Sequence, residues 1–580
     1  MPQGSRKVPF SAKQKKIQLQ QKRERKHGGH VTRQEPSKRE LDAEQQAPLS
    51  LGEVIRINAQ GDVGQRSSRV FRYCLQFKKE SAEELQRRKQ QARKPYVVLP
   101  EEALEVTPEE FFLPGSALDI PKRPPWNRSM TREALEAREA HYFREYVESI
   151  ERSFADAELS YFELNLETWR QLWRVLEMSE IILLVADIRH PVVHFPPALH
   201  KHVTEDLGKR LILVLNKIDL VPDKLTAAWI QFFRERFPGL VVLPFASYAG
   251  MTAKGKKGRR QGRLRMAADA CRGLVAALEE MLGGKGDRFV HLLFLVDLSS
   301  WREKIDAESA EEVAADEDEE ESDPLANALT ELVAPDTSFY GEEGFKDGRL
   351  TLGFVGHPNV GKSSLLNALM GRKVVSVSRT PGHTKHFQTI FLTDNVRLCD
   401  CPGLVFPSLQ PKALQVLTGC FPVAQLREPY SAIEFLAKRL PVPSILKLEP
   451  PESDSVGPAG DTYPWSAFEL CEAWALQRGY LTAKAGRPDS YRAANSLLRM
   501  ALDGRTLCLS FRPPGYSSHQ GDIANSSLVA QLARIRGETP AHDDAEEDNE
   551  PSSSEDDDED EDDDYGAMQS NKFAALEDSS

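Results

Sequence analysis

Residues 353–369 read GFVGHPNVGKSSLLNAL, a strand, a glycine-rich turn and a helix in succession. Gly356, four intervening residues and then Gly361-Lys362-Ser363 is the spacing of a loop that cradles phosphates. Apolar residues Leu352 to Val355 lead into it as a short strand, and Ser364-Leu365-Leu366-Asn367-Ala368-Leu369 leaves it as a helix. Glycines let backbone N–H groups turn inward toward a β-phosphate, and the positive end of the following helix adds to them. Lys362 then lies between β- and γ-oxygens, and the Ser363 hydroxyl reaches Mg²⁺. The nucleotide-binding loop is accordingly Gly356, His357, Pro358, Asn359, Val360, Gly361, Lys362, Ser363 and Ser364.

Downstream, VRLCDCPGLVF is an apolar strand ending in Asp400-Cys401-Pro402-Gly403. An acid there holds Mg²⁺ through water, and the Gly403 N–H reaches the γ-phosphate. Between the two lies SRTPGHTKHFQTI, a polar loop whose Thr384 completes the Mg²⁺ shell, with Thr380 competing for that role. His383 and His386 read as exposed loop histidines. Lys362, Thr384 and Gly403 form the catalytic set; Ser363, Thr384 and Asp400 form the Mg²⁺ set. No residue reads as a general base.

A base reader is missing downstream of Ser363 and present upstream. Asn216-Lys217-Ile218-Asp219 follows the apolar strand LILVL. The Asp219 carboxylate accepts from the guanine N1–H and exocyclic amine together, a pair of donors adenine lacks. Asn216 faces the opposite edge of the base, and the Lys217 stem covers the ring. PFASYAG ends the next strand, where Ala246 or Ser247 offers a backbone N–H to the guanine O6. The set is complete but rotated. A compact α/β domain has its termini close together, so old ends can be joined and a loop cut while the sheet survives. The fold expected is an α/β P-loop GTPase domain with circularly permuted motifs, and the site lies at the carboxyl ends of its strands. An ATPase would require Asp219 not to contact the base.

Charge is segregated along the chain. Asp543–Asp564 holds 16 acidic residues and Asp306–Asp323 holds 11, so a formal net charge of −13 conceals a basic remainder. Arg6 to Arg39 carries 12 Lys/Arg against two Glu. The divisions expected are a basic disordered arm over 1–45, a partly helical N-terminal extension over 46–165, and the permuted G domain over 166–408 with an acidic insert at about 304–348. A helix-rich C-terminal domain over 409–535 and an acidic disordered tail over 536–580 follow. Within the extension, Thr131 to about Ser153 reads as a charged surface helix. TWRQLWRVLEMSE reads as an amphipathic helix with Trp169 and Trp173 in the core. The polar, basic N-terminus argues against a secretory signal. The longest apolar runs are shorter than the ~20 residues of a membrane helix. Seven scattered cysteines without a CxxC fit a reducing compartment and no zinc site.

These motifs together resemble the circularly permuted GTPases of ribosome assembly, with DIRHP at Asp187 similar to that family's DARxP. The sequence departs from the family in Ile188 for Ala and in FAS for FSA at 245–247. The resemblance implies slow GTP hydrolysis to GDP and phosphate, a switch role, and association with preribosomal particles. It places Leu404 where many GTPases carry a water-orienting Gln. It also places Asn359 at a position that holds K⁺ in potassium-stimulated relatives.

Lys254–Arg265 has seven basic residues and no acid. With the basic arm, which includes KRERK at Lys22–Lys26, it makes a salt-sensitive contact to ribosomal RNA phosphates. The acidic tail is matched to basic proteins, and Ser552, Ser553 and Ser554 beside it are phosphorylation candidates. A nuclear or nucleolar and cytoplasmic location follows from these readings, with no membrane partner. The alternative is a slow-turnover GTP-binding signalling or scaffold protein with protein partners.

Overall fold

The computed structural model describes residues 54–56, 74–246 (apart from 114, 128 and 157), 271–280, 349–519 (apart from 379, 385, 451–462 and 483–485) and 527–536. The basic arm, the acidic insert, the run 254–265, Ser247, the apolar stretch 289–298 and the tail beyond 536 lie outside these residues.

The described residues open with an antiparallel pair, β1 (Val54–Arg56) and β2 (Gln76–Lys78). Helices α1 (Ala82–Gln91), α2 (Arg132–Ser153) and α3 (Leu166–Met178) follow. The central sheet then begins with β3 (Ile181–Asp187), β4 (Arg210–Asn216), α4 (Asp223–Arg236) and β5 (Val241–Pro244), with a further helix α5 over residues 271–280. It is completed by β6 (Leu350–Val355), α6 (Lys362–Met370), β7 (Gln388–Phe391) and β8 (Val396–Asp400). Helices α7 (Lys412–Leu417), α8 (Tyr430–Ala437), α9 (Ala467–Gln477), α10 (Ser490–Asp503) and α11 (Ser527–Arg536) close the described chain.

The six strands are ordered β5-β4-β3-β6-β8-β7, parallel throughout except where β7 runs against β8. β3 is buried at all seven positions, as a strand covered on both faces must be, which is why Ile181–Ala186 is a continuous apolar run. Alternate residues feed two cores. Ile181, Leu183, Val185, Leu352 and Phe354 pack with Leu365, Leu366 and Leu369 of α6 on one face. Ile182, Leu184, Ala186, Leu213 and Leu215 face a larger core on the other. That core runs without interruption through α2 to α4, Phe77 of the extension, and Leu470, Leu497 and Phe511 of the C-terminal region. Helix α3 lies tightly on β6: a Cβ at Gly353 would stand 2.5 Å from Ser179 Oγ and 3.0 Å from Val175 Cγ1.

Helix α2 differs from the surface helix expected. Leu135, Glu139, Phe143, Val147 and Ile150 form a buried stripe at near-helical spacing. Glu139 is tolerated there because Arg123 Nε (2.9 Å) and Arg170 Nε (2.7 Å) hold its two carboxylate oxygens. Trp169 and Trp173 are buried as read, and their N–H groups bond to Glu163 O and Pro121 O.

Candidate nucleotide-binding site

The loop after β6 has the backbone its sequence calls for. Gly356 has φ +149°, and a Cβ there would lie 2.5 Å from the Val185 carbonyl oxygen on β3, so the position admits only glycine. Gly361, at φ +98°, caps α6, and Asn359 adopts φ +58°. Lys362 is 6 % exposed, and its Nζ donates to the carbonyls of Gly356 (3.0 Å) and His357 (2.7 Å). Burial lowers the lysine's pKa while Asp400 opposes the shift. His357 is buried against His194 and Phe406 (ring centroids 5.1 and 5.3 Å), and burial holds it well below the ordinary histidine range. It is a neutral wall of the loop.

Ser363, Thr384 and Asp400 come together. Ser363 Oγ donates to Asp400 Oδ2 at 2.9 Å and stands 3.5 Å from Thr384 Oγ1. Thr380 is exposed and its N–H bonds to Ser378 Oγ instead. Asp400 is 1 % exposed and its Oδ1 has no hydrogen-bond partner. Burial pushes this carboxyl up to about 6, against the pull of Lys362 and the Ser363 hydroxyl. An orphaned carboxylate oxygen beside two hydroxyls is a hard-oxygen donor set that fits Mg²⁺. Gly403 backs onto the phosphate loop, where a Cβ would meet Pro358 Cα at 2.7 Å.

The base-reading motif sits at the carboxyl end of β4, on the same sheet edge. Asn216 is fully buried and donates through Nδ2 to Val360 O at 2.8 Å, so its amide ties β4 to the phosphate loop. Lys217 adopts a left-handed conformation (φ +64°), and its Nζ bonds to Asn359 O (2.8 Å) and Asp187 Oδ2 (2.8 Å). Ile218 is buried, its N–H bonding to Phe245 O, while Asp219 is exposed. Ala246 is 1 % exposed at the end of β5. Asn359 donates through Nδ2 to Gly419 O at 2.9 Å.

Asp187, Arg189 and Gln171, also at the site, carry no role in the sequence reading. Asp187 and Arg189 form a buried fork beside Lys217; DIRHP was visible as a motif but without a partner. Gln171 Oε1 on α3 accepts from Phe387 N (2.8 Å) and holds the end of the magnesium loop, a contact with no local sequence signature. Cys401 is buried, and burial raises its thiol far above the ordinary range, so it is inert. The segment after Gly403 is built into the extension. Leu404 N donates to Gly356 O, Glu163 N to Val405 O, Ser160 N to Ser408 O, and Leu409 N to Phe111 O. Leu404 is 1 % exposed and offers no group to orient water. Among the described residues no helix is long and apolar enough to cross a membrane.

Comparison with known proteins agrees with this geometry. The sequence profile of the 50S ribosome-binding GTPase family matches residues 351–424, from β6 into the loop before α8. Guanine nucleotide-binding protein-like 1 of Rattus norvegicus is 47% identical over 566 residues, covering 93% of this chain and 91% of its own. The Homo sapiens protein of the same name matches at the same identity and coverage. GTPase LSG1-2 of Arabidopsis thaliana is 32% identical over 448 residues, covering 75% of this chain and 69% of its own.

Proposed function

The chain belongs to the guanine nucleotide-binding protein-like 1 family of GTPases, and on that premise we propose that it is a slow GTP-driven switch acting on a ribosomal precursor. The observation that supports this reading is the assembly of three separated motifs on one sheet edge. Asn216 and Lys217 are bonded to the phosphate loop, and Ser363 is bonded to Asp400 beside Thr384.

In this reading Asp219 selects guanine, and the loop from Gly356 to Ser364 wraps the phosphates. Lys362, already pointed into the loop, neutralises charge that spreads over the γ-phosphoryl oxygens in the transition state. Ser363, Thr384 and Asp400 would hold Mg²⁺, which would supply charge neutralisation to the phosphates. The Gly403 N–H meets the γ-phosphate, and its close approach to Pro358 keeps that N–H beside the loop. With Leu404 buried, orientation of the attacking water falls to the substrate or to a bound particle. Ala246 and Ser247 are the N–H donors for the guanine O6. Asn359, its amide fixed by Gly419, is the candidate contact for K⁺.

The partner assigned is a preribosomal particle, met through the basic arm and Lys254–Arg265, with basic proteins as targets of the acidic tail. The profile's description favours this over a scaffold role. A nuclear and cytoplasmic itinerary follows from such a task. The test is nucleotide turnover with and without a ribosomal-particle fraction, in K⁺ and then in Na⁺, alongside Asp219→Asn and Lys362→Ala. GTP-specific hydrolysis raised by particles is the expected result, and K⁺ dependence assigns Asn359. Tight GTP binding indifferent to every particle would overturn the switch reading.

A further inference from the structure

We infer that Arg189 is a positioning residue for guanine recognition and that it joins the base-reading loop to the end of helix α10. The inference rests on the GTP-binding reading and adds a residue and a route to it.

Asp187 ends β3 with its side chain 4 % exposed, and it is shared between two cations. Its Oδ2 receives Lys217 Nζ and Arg189 Nη2, both at 2.8 Å, and its Oδ1 receives the Arg189 N–H and Nε, both at 3.0 Å. The remaining guanidinium nitrogen, Nη1, turns away from the site. It donates to Ala501 O (3.1 Å) and Leu502 O (3.2 Å), carbonyls of the last turn of α10. Those carbonyls lack partners within a helix and carry the negative end of its dipole, so an arginine is well matched to them. Gly504, which caps α10 at φ +75°, leaves the space that Nη1 fills: a Cβ there would stand 2.4 Å from it. A planar fork meeting a carboxylate on one side and two carbonyls on the other cannot be replaced by a point charge.

The same corner carries the base loop. A Cβ at Gly504 would also lie 3.4 Å from Leu220 Cδ1, Cys508 Sγ bonds to Leu220 O, and Phe511 N donates to Arg189 O. Lys217 therefore has one partner in the phosphate loop, Asn359 O, and one, Asp187, whose position is set by Arg189 and α10. If Arg189 lets Asp187 turn, Lys217 loses the anchor that holds its stem across the base while the phosphate loop stays intact. Coupling is reciprocal, so a nucleotide that orders Lys217 also tightens the α10 end.

The test uses the full-length chain with two variants, Arg189→Lys, which keeps charge and loses the fork, and Gly504→Ala, which displaces Nη1 and touches no nucleotide motif. GDP and pyrophosphate are each titrated against a fluorescent guanine nucleotide, and amide exchange of residues 501–508 is followed with and without GDP. The expected result is about tenfold weaker GDP binding in both variants with pyrophosphate binding unchanged. GDP protects the 501–508 amides in the wild type and not in the variants, and Arg189→Lys adds no further loss in a Lys217→Met background. Unchanged GDP affinity in either folded variant, equal loss of GDP and pyrophosphate, or 501–508 amides indifferent to GDP in the wild type would each overturn the proposal. A wild type that binds ADP as well as GDP would instead remove the guanine reading, which is a separate outcome.

Discussion

Replacing Glu163 with Gln isolates a pH dependence that the fold builds in. Glu163 precedes α3 and is fully buried. Its Oε1 accepts the N–H groups of Gln76 (3.0 Å) and Asn165 (2.7 Å), whereas Oε2 is buried without a hydrogen-bond partner. Burial outweighs the backbone N–H groups and pushes the carboxyl from 4.5 to about 8. The folded protein therefore keeps this proton at neutral pH while the unfolded chain has released it. Because the folded value is the higher one, the associated stability is full below about pH 4.5. It declines as pH rises toward about 8 and is flat beyond. At roughly 1.4 kcal/mol per pH unit, the difference is on the order of 3–5 kcal/mol. Glutamine has the shape of the neutral acid, keeps an acceptor for both N–H groups and cannot ionise. The Glu163→Gln variant should match the wild type within about 1 kcal/mol at pH 5 and exceed it by several kcal/mol at pH 8. Urea unfolding of both proteins at pH 5, 6.5 and 8 measures this directly, since every other titrating group cancels in the difference. Parallel pH profiles, or a variant less stable than the wild type at pH 8, would refute the reasoning.

Four further outcomes follow from the geometry. Thr384→Ala should raise the Mg²⁺ concentration for half-maximal GTP turnover about tenfold while Thr380→Ala leaves it unchanged, because only Thr384 stands beside Ser363. Asp219→Asn should weaken GTP binding by roughly 100-fold or more and shift preference toward xanthosine nucleotides, measured by competition, because the amide oxygen accepts from only one guanine donor and its NH₂ opposes the other but suits a carbonyl. Gly403→Ala places a Cβ 2.7 Å from Pro358 Cα and should lower kcat without a comparable change in GDP affinity, a split that steady-state kinetics and GDP titration resolve. Trp169→Ala, which removes a fully buried ring packed on Phe143 and Phe406, should cost about 3–5 kcal/mol in denaturant unfolding.

The phosphate loop, the β3 run and the base motif were legible because each is a local pattern, a spacing or a stretch of burial only a few residues long. Asn216 shows where that stops. Its residue type suggested a contact to the base and gave no sign that its Nδ2 bonds to Val360 across 144 positions of sequence. The same limit hid Gln171, which meets Phe387 across 216 positions, and Arg189, which meets Ala501 across 312. Such contacts arise only when the sheet and the C-terminal helices close on one another, and no periodicity records them. Helix α2 misled for a different reason. Its apolar stripe is interrupted by Glu139, which reads as solvent-facing until Arg123 and Arg170, from two other segments, are seen to neutralise it.

The strand order has a consequence during synthesis. The base-reading half of the sheet, β5-β4-β3, is contiguous in sequence and leaves the ribosome before any of the phosphate-binding half. Among the described residues the only ladder between the halves is β3 with β6, from Ile181↔Leu352 to Leu184↔Val355. Until Leu350 is made, β3, apolar from Ile181 to Ala186, lacks its β6 partner on one side. At about 5–20 residues per second that interval lasts roughly 8–30 s. A nascent chain of this protein is therefore exposed to edge-to-edge association, or to chaperone capture, for far longer than one whose P-loop strand comes first.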